Sequence, residues 1–236
     1  MRTAIQLWTL RELREPLSDV LDRITAAGYD GVEFAGIGDP GASRRALDEA
    51  GLGIAGVHVQ IEELQSDPRT VGNQVRTLGA PYIVLPYLDD DHFASESAVE
   101  STATLLAMLE EDFDRPLLYH NHDHEFVPLG DGTAFDALVD RTTIGFEFDA
   151  GWAHAAGQDP VALIRRLDGR VPVVHLKDVT ADGEPTALGE GVVPLRAVVD
   201  AAREAGTDWL VFEHDTPEDP VDAIQAGIDG MCPLLE

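Results

Sequence analysis

Cysteine and lysine are almost absent from this chain of 236 residues, which contains one of each, Cys232 and Lys177. A single cysteine excludes an internal disulfide and every zinc site built from several thiolates. No apolar run approaches the roughly 18 residues that span a bilayer. The charged start, MRTAIQLWTLRELR, is also unlike a signal peptide. We therefore expect a soluble, cytoplasmic protein that has no membrane partner.

Positive charge is scarce as well. Sixteen basic residues face 44 acidic ones, and the formal net charge is −28. Such a surface repels the phosphates of nucleic acids and anionic membranes, so we expect neither as a partner. Because the acids are spread along the chain, we interpret the charge as a halophilic adaptation of the whole surface, since high intracellular salt screens the self-repulsion. Lys177 stands out on this background, two residues after a histidine.

A glycine-rich phosphate loop of either common type is missing, which weakens an open nucleotide-binding sheet as the fold. Strand-like segments instead alternate with amphipathic helical ones such as Pro16–Ala27. This alternation predicts a parallel sheet, and eight units favour a (β/α)8 TIM barrel formed by residues 1–236 as one domain. The predicted strands are Ala4–Thr9, Gly31–Ala35, Ile54–Val59, Tyr82–Pro86, Leu117–His122, Ile144–Ala150, Val171–Lys177 and Trp209–His214.

Four predicted strands run from apolar residues into acids and histidines. Their sequences are LLYHNH (117–122), IGFEFD (144–149), VVHLKD (173–178) and LVFEHD (210–215). Active sites of TIM barrels lie at the carboxyl ends of the strands. The four polar ends are therefore predicted to meet in one shared site.

Polar residues two positions apart place both side chains on one face of a strand. The pairs are His120 with His122, Glu147 with Asp149, and His175 with Lys177, and Glu213 ends the apolar run of the last strand. Carboxylates and imidazoles that converge on one pocket suit a divalent ion such as Mn²⁺, Mg²⁺, Co²⁺ or Zn²⁺. We therefore predict one divalent metal ion, and Asp149, His175 and Glu213 are the core of its site.

Other polar residues near the strand ends have a structural interpretation beside a functional one. His58 is either a substrate contact or a hydrogen-bonded residue at the barrel mouth, and Trp152 is either a lid or a packing group. Asp178 and Asp215 also suit caps of the following loops. Glu125 suits a hydrogen-bond partner for a neighbouring histidine.

Several motifs, in this order, resemble the sugar phosphate isomerase/epimerase family of xylose isomerase-like TIM barrels. They are IQLWTLR (5–11), GYDGVEFAG (28–36), YHNHDHEF (119–126), FDAGWAHAAGQDP (148–160), VVHLKD (173–178), LGEGVVPL (188–195) and WLVFEHD (209–215). The resemblance covers nearly the whole chain. It implies one divalent cation held by Glu, Asp, His and Glu from strands five to eight, here Asp149, His175 and Glu213. His120, in the His-Asn-His motif, takes the place of the strand-five glutamate.

The leading hypothesis is an isomerase or epimerase of a small sugar or keto-sugar derivative. The enzyme removes a proton next to a carbonyl, and a divalent ion stabilises the resulting enediolate. Glu213 or His120 is the predicted base, and Lys177 holds the oxyanion or a substrate hydroxyl. Glu190, in a Gly-Glu-Gly segment, is either a lid residue or a plain turn residue. The remaining predicted substrate contacts are His58, His122, Glu147 and Trp152.

Two alternatives stay open, and a third is disfavoured. The same enediolate can expel a β-hydroxyl group, which would make the protein a dehydratase or lyase acting on a keto-inositol or 3-keto-sugar. An endonuclease acting on abasic sites shares the fold, but that resemblance implies a histidine-rich multi-metal centre and a basic face, and this acidic chain has neither, so we disfavour it. A non-catalytic sugar-binding barrel would bind its ligand without turnover. The acidic composition favours a sugar or polyol that carries no phosphate, and a homo-oligomer in which a neighbouring subunit covers the pocket is a further option.

Overall fold

Eight parallel strands close into a barrel in the computed structural model, which describes all 236 residues. This confirms the predicted (β/α)8 architecture. Each strand pairs with its neighbours in chain order, and the last closes on the first with Trp209 opposite Arg2. The strands are β1 Arg2–Gln6, β2 Gly31–Phe34, β3 Gly53–His58, β4 Ile83–Leu85, β5 Leu117–His120, β6 Gly145–Asp149, β7 Val173–Leu176 and β8 Trp209–Phe212.

Helices surround the barrel. Their bounds are α1 Leu17–Ala27, α2 Pro40–Ala50, α3 Ile61–Ser66, α4 Pro68–Leu78, α5 Glu96–Glu111, α6 Ala134–Arg141, α7 Ala150–Ala155, α8 Pro160–Arg166, α9 Leu195–Ala205 and α10 Pro220–Leu235. Helix α1 ends at Gly28, which has a φ of 101° and caps the helix in the left-handed conformation. None of the helices has both the length and the apolar character that crossing a membrane requires.

Most predicted strands extend too far toward the carboxyl end. Residues Leu7–Leu10, for example, form a 3₁₀ helix instead of continuing β1. Asp149 ends β6 because its side chain accepts a hydrogen bond from the backbone N–H of Trp152 and so begins α7. The Asp149 side chain thus satisfies a backbone N–H group in the first turn of α7 that has no partner within the helix.

Large apolar side chains fill the space between the strands and the helices. A separate apolar cluster closes the amino-terminal end of the barrel interior, and we call it the barrel floor. The ring of Trp209 needs the absence of side chains at Gly31 and Gly53, where a Cβ atom would lie 2.8 and 3.0 Å from Trp209 Cη2. The barrel floor consists of Ala4, Ala55, Val84, Leu118, Val173, Trp209 and Val211.

Candidate active site

Ionisable side chains occupy the barrel interior at the carboxyl ends of the strands. Every one of them is less than 10% exposed. The structure therefore brings together the predicted residues of strands five to eight, and it adds residues from β1, β2 and β3. We call this group the polar layer: Gln6, Glu33, His58, His120, Glu147, Asp149, His175, Lys177 and Glu213.

Four members of the polar layer could hold a metal ion. They are His120, Asp149, His175 and Glu213, and they offer ligand atoms that all lie within 4.8 Å of one another. Asp149 Oδ2 is buried and accepts no hydrogen bond of normal geometry, so it retains a free lone pair. Two carboxylates and two imidazoles are a donor set that fits a divalent ion. We call these four residues the outer set.

A second group of possible ligands lies against the first and shares two histidines with it. This inner set consists of His58, His120, Glu147 and His175. Glu147 Oε1 is surrounded by three imidazole nitrogens, at 2.8 Å from His58 Nε2, 2.9 Å from His120 Nδ1 and 3.1 Å from His175 Nε2. Carboxylates and imidazoles therefore alternate through the whole layer, which offsets the cost of burying each charge.

Lys177 is buried and lies among carboxylates. Its Nζ is 3.1 Å from both Asp149 Oδ2 and Glu213 Oε2, and 2.7 Å from Asp215 Oδ2. It also lies 4.5 Å from the centre of the Trp152 ring. Burial opposes the charged form, but the three carboxylates outweigh burial and raise the pKa of Lys177 above its ordinary value. Lys177 is thus a protonated donor at neutral pH.

The two acids of the outer set titrate in opposite directions. Burial raises the pKa of Asp149 to about 6, although Lys177 and His175 oppose this shift. Burial also opposes ionisation of Glu213, but Lys177 and His175 outweigh it and hold the pKa of Glu213 well below its ordinary value. Glu213 therefore stays ionised over the whole physiological range.

Two histidines of the same wall are neutral. Burial lowers the pKa of His120 to about 3, against the opposing effect of Glu147. Burial and the nearby charge of Lys177 lower the pKa of His122 to about 3. Both rings keep a nitrogen lone pair at neutral pH, and His122 Nδ1 has no hydrogen-bond partner. His120 suits a metal ligand, and His122 is free to accept a hydrogen bond from a substrate hydroxyl.

A cavity of about 180 Å³ reaches two residues of the outer set, His120 and Glu213. Trp8 and Tyr87 are 46% and 44% exposed on its wall, so their ring faces are accessible to a ligand. Lys177 is the only lysine or arginine on this wall. The lining residues are Trp8, Ala35, His58, Gln60, Pro86, Tyr87, His120, His122, Lys177, Glu213 and Asp215.

Three predicted substrate contacts do not line this cavity. Glu147 is fully buried below the histidines, and Trp152 lies behind Lys177. Glu190 is exposed and lines a different cavity, next to the start of α10. Their roles as substrate contacts stay predictions.

The loop that carries Glu190 is held by Asp178, as the capping interpretation predicts. The Asp178 carboxylate accepts hydrogen bonds from the backbone N–H groups of Gly189, Gly191 and Val193. A side chain at position 191 would collide with this carboxylate, which explains the second glycine of the Gly-Glu-Gly segment. The segment is a turn around a buried acid.

Comparison with known proteins identifies the family of this chain. Residues 21–234 match the family described as xylose isomerase-like TIM barrel. The chain belongs to this family. An inosose dehydratase of Lacticaseibacillus casei is 24% identical over 92% of this chain and 89% of that protein. The rhizopine catabolism protein MocC of Rhizobium meliloti is 26% identical over 90% of this chain and 80% of that protein.

Solved structures give the same fold. A sugar phosphate isomerase/epimerase from Parabacteroides distasonis superposes with a TM-score of 0.82 at 19% identity, over 100% of this chain and 96% of that chain. At this level of identity the similarity concerns the fold. It agrees with the closed barrel of this xylose isomerase-like protein.

Sequence reasoning missed three residues of this xylose isomerase-like site. Glu33 is fully buried in β2, 2.6 Å from His175 Nε2, and Gln6 Nε2 donates a hydrogen bond to Glu33 at 3.0 Å. The amide of Asn121 bonds both the backbone N–H and the carbonyl of Asp149, which fixes the start of α7. A charged residue between apolar ones in Gly-Val-Glu-Phe marks Glu33 as unusual for a buried strand. The motif alone does not indicate which groups Glu33 contacts.

Two further acids near the strand ends make contacts that the sequence did not predict. Glu125 accepts hydrogen bonds from the Tyr119 hydroxyl at 2.6 Å and from the backbone N–H of His122 at 2.8 Å, and its carboxylate also lies 3.7 Å from His124 Nδ1, so it orders the loop and lies beside a neighbouring imidazole. Asp215 does not cap its loop but forms an ion pair with Lys177. Both contacts are made across turns whose shape the sequence did not reveal.

Proposed function

We propose that this xylose isomerase-like barrel is a divalent-metal-dependent dehydratase that removes water from a small keto-polyol of the keto-inositol class. Two observations support the proposal together. The cavity wall combines an ionised carboxylate, a protonated ammonium and neutral imidazoles, and relatives that span nearly the whole chain are named inosose dehydratase. The side chains of the cavity wall support proton removal next to a carbonyl, and the names of the relatives favour loss of water over isomerisation.

The outer set, His120, Asp149, His175 and Glu213, would hold the metal. A divalent ion bound there would polarise the substrate carbonyl and an adjacent hydroxyl group. Side chains of the protein carry out the proton removal and the elimination.

Glu213 is the proposed base that removes the proton from the carbon next to the carbonyl. It is ionised and lies on the cavity wall. His120 is the less favourable choice, since its Nδ1 is 2.9 Å from Glu147 and its Nε2 is 3.9 Å from Asp149, so both nitrogens face carboxylates. A positioned base of this kind contributes about 100- to 10,000-fold to the rate.

Elimination then breaks the bond between carbon and the β-hydroxyl group as a carbon–carbon double bond forms. Lys177, held by three carboxylates, donates a hydrogen bond to the developing oxyanion or to the leaving hydroxyl group. The proton taken by Glu213 leaves with that hydroxyl group as water. The site returns to its starting charge, and the product is the unsaturated ketone in its enol or diketone form.

The cavity favours a substrate without phosphate. Lys177 is the only lysine or arginine on the wall and is engaged by acids, and the net charge is −28. The exposed rings of Trp8 and Tyr87 suit the C–H faces of a cyclic polyol, and His58 and His122 offer hydrogen bonds to its hydroxyl groups. The small volume suits a single ring.

Isomerisation or epimerisation of a ketose is the second candidate. His120 and Glu213 both line the cavity, so two groups are available to remove and return a proton. Return of the proton to the other carbon or the other face of the substrate would give an isomer without loss of water.

A substrate screen separates the two reactions. Protein loaded with Mn²⁺ or Co²⁺ is incubated with keto-inositols and 3-keto-sugars, and loss of water is followed by NMR; a ketose panel is followed for isomer formation. We expect dehydration of a keto-inositol that depends on the metal and disappears in Asp149→Asn. Isomer formation without dehydration would favour the second candidate, and binding without turnover would contradict both.

A further inference from the structure

Three carboxylates of the polar layer, Glu33, Glu147 and the outer-set residue Asp149, contribute to no wall of the cavity, and the first two lie outside the outer set. Glu33 and Glu147 are both fully buried, below the histidines of the outer set. Glu33 Oε1 and Glu147 Oε2 accept no hydrogen bond. The other oxygen of each carboxylate faces imidazole nitrogens, so these acids act on histidines instead of on a ligand in the cavity.

Each shared histidine lies between an inner and an outer carboxylate. His175 Nε2 is 2.6 Å from Glu33 Oε2, and its Nδ1 is 3.0 Å from Glu213 Oε2. His120 Nδ1 is 2.9 Å from Glu147 Oε1, and its Nε2 is 3.9 Å from Asp149 Oδ2. We call Glu33 and Glu147 the inner acids. In both rings one nitrogen therefore faces an inner acid, and the other nitrogen faces a carboxylate of the outer set.

A carboxylate oxygen only accepts hydrogen bonds, so an imidazole nitrogen that stays in contact with one has to carry a proton. A metal ion between His175 Nδ1 and Glu213 would replace the proton of that contact, whereas the contact of Nε2 with Glu33 would remain. A neutral imidazole has one N–H group and one lone pair. A proton held on the inner nitrogen therefore leaves the lone pair on the outer nitrogen.

We infer that Glu33 and Glu147 are positioning residues that keep the protons on His175 Nε2 and His120 Nδ1. The nitrogens that bind the metal are then His175 Nδ1 and His120 Nε2. The inference rests on the outer set being the metal site of the proposed function. It gives Glu147 a role different from the predicted contact with substrate hydroxyl groups.

The same reasoning excludes an ion in the inner set at the same time as one in the outer set. An inner ion would need the lone pairs of His120 Nδ1 and His175 Nε2, and each neutral ring has only one lone pair. Both sets reach the cavity, the outer set through His120 and Glu213 and the inner set through His58 and His120, but only the outer set places a carboxylate on the cavity wall. One ion, in the outer set, is the expected stoichiometry.

Neighbouring groups hold the two inner acids in place. Gln6 Nε2 donates a hydrogen bond to Glu33 Oε2 at 3.0 Å, and His58 Nε2 lies 2.8 Å from Glu147 Oε1. Gly56 leaves the space that Glu33 occupies, because a Cβ atom there would lie 2.6 Å from Glu33 Oε1. Residues of β1 and β3 thus hold both carboxylates in position.

The first measurement is a long-range ¹H–¹⁵N spectrum of the zinc-loaded wild-type protein, which shows which imidazole nitrogens bind the metal. We expect bonding through Nδ1 of His175 and through Nε2 of His120, with one zinc ion per chain. Bonding through the opposite nitrogen of either ring would overturn the inference. Two zinc ions per chain would overturn it as well.

The second measurement is the zinc affinity of the variants Glu33→Gln and Glu147→Gln, obtained by competition with a chelator. We expect each variant to bind zinc about 10- to 100-fold more weakly. An amide offers both a donor and an acceptor, so it does not enforce one tautomer of the histidine as a carboxylate does. Glu125→Gln is the matched control: Glu125 is equally buried at the same end of the barrel but bonds Tyr119, and we expect its zinc affinity to stay unchanged. Wild-type affinity in both Glu33→Gln and Glu147→Gln would contradict the inference. The spectrum of the wild type decides the matter if a variant does not fold.

A third variant, Asp149→Asn, separates this inference from the proposed function. Zinc bound as tightly as in the wild type would show that the outer set is not the metal site, and both proposals would fail. Loss of zinc in Asp149→Asn with unchanged affinity in the two glutamine variants would sink only the positioning role.

Discussion

The barrel floor and the polar layer are successive layers of the same barrel interior, yet they are held together by different forces. The floor has no ionisable group, and the ring of Trp209 fills the space that Gly31 and Gly53 leave open. The polar layer contains carboxylates that contact imidazoles or the ammonium of Lys177 at 2.6 to 3.1 Å. Shape fills the first layer, and charge pairing organises the second.

This difference indicates where stability and activity come from. Apolar burial lowers the free energy of the folded state directly. Buried ion pairs lose much of their attraction to desolvation, so they stabilise little but become costly when one partner is removed. The floor therefore supports the fold, whereas the polar layer holds reactive groups at defined positions.

The largest expected effect is on activity, from a change in the polar layer. Glu213→Gln should lower kcat by about 100- to 10,000-fold, because the amide cannot accept the proton. Dehydration kinetics at saturating metal measure this. Glu125→Gln, a buried acid outside the cavity wall, should stay close to wild type. Retained activity in Glu213→Gln would remove this residue from the mechanism.

The largest expected effect on stability is in the barrel floor. Trp209→Ala should lower the free energy of unfolding by about 3 to 5 kcal/mol, since it leaves a cavity below the polar layer and removes the contact of Arg2 with the ring, 3.8 Å from its centre. Urea unfolding measures this change. We expect kcat per folded molecule to stay near the wild-type value, and a large loss of kcat in folded protein would break the division between the two layers.

Two glycines of β3 provide a matched pair for the same comparison. A Cβ atom at Gly53 would lie 3.0 Å from the Trp209 ring, and one at Gly56 would lie 2.6 Å from Glu33 Oε1. Gly56→Ala should weaken metal binding by about tenfold through displacement of Glu33, while Gly53→Ala should lower stability and leave metal affinity unchanged. Chelator competition and thermal unfolding on both variants test this, and equal metal affinities would contradict it.

The stability of the metal-free protein should fall as the pH rises above neutrality. Burial opposes the charged form of His58, but Glu147 and Glu33 outweigh it and raise its pKa to about 10 from 6.5. A raised pKa contributes stability that is complete below pH 6.5 and is lost as the pH rises toward 10, by up to about 1.4 kcal/mol per pH unit.

Urea unfolding between pH 6 and pH 10 after treatment with a chelator measures this slope. The variant His58→Gln should reduce the slope, since the pKa of His175 is raised by carboxylates as well, and Trp209→Ala should keep it, because the floor does not titrate. An unchanged slope in His58→Gln would show that His58 is not protonated in the folded protein.

The smallest expected difference concerns salt. High KCl should raise the Tm of the wild type, since it screens the repulsion that accompanies a net charge of −28. Buried charges are screened much less, so Glu213→Gln should show the same salt-dependent shift as the wild type. A Tm that does not depend on KCl would contradict the halophilic interpretation.

Much of the fold and part of the site were predictable from the chain alone. Alternation of apolar strands and amphipathic helices predicts the barrel. The rule that sites of this fold lie at the carboxyl ends of the strands predicts that His120, Asp149, His175 and Glu213 meet. The strand ends were less predictable. Asp149, for example, stops β6 by accepting a hydrogen bond from Trp152, a contact that depends on the following turn.

Sequence by itself determined which groups reach the carboxyl end of the barrel. The alternation of side chains along each strand is a local property, and the parallel topology follows from the order of strands and helices in the chain. Only the tertiary structure decided which groups contact one another. Glu33 and His175 are 142 residues apart in the chain and become partners through closure of the barrel, whereas Glu190 is kept off the cavity wall by the loop that Asp178 holds. Such contacts depend on distances between strands, and no pattern within one strand records them.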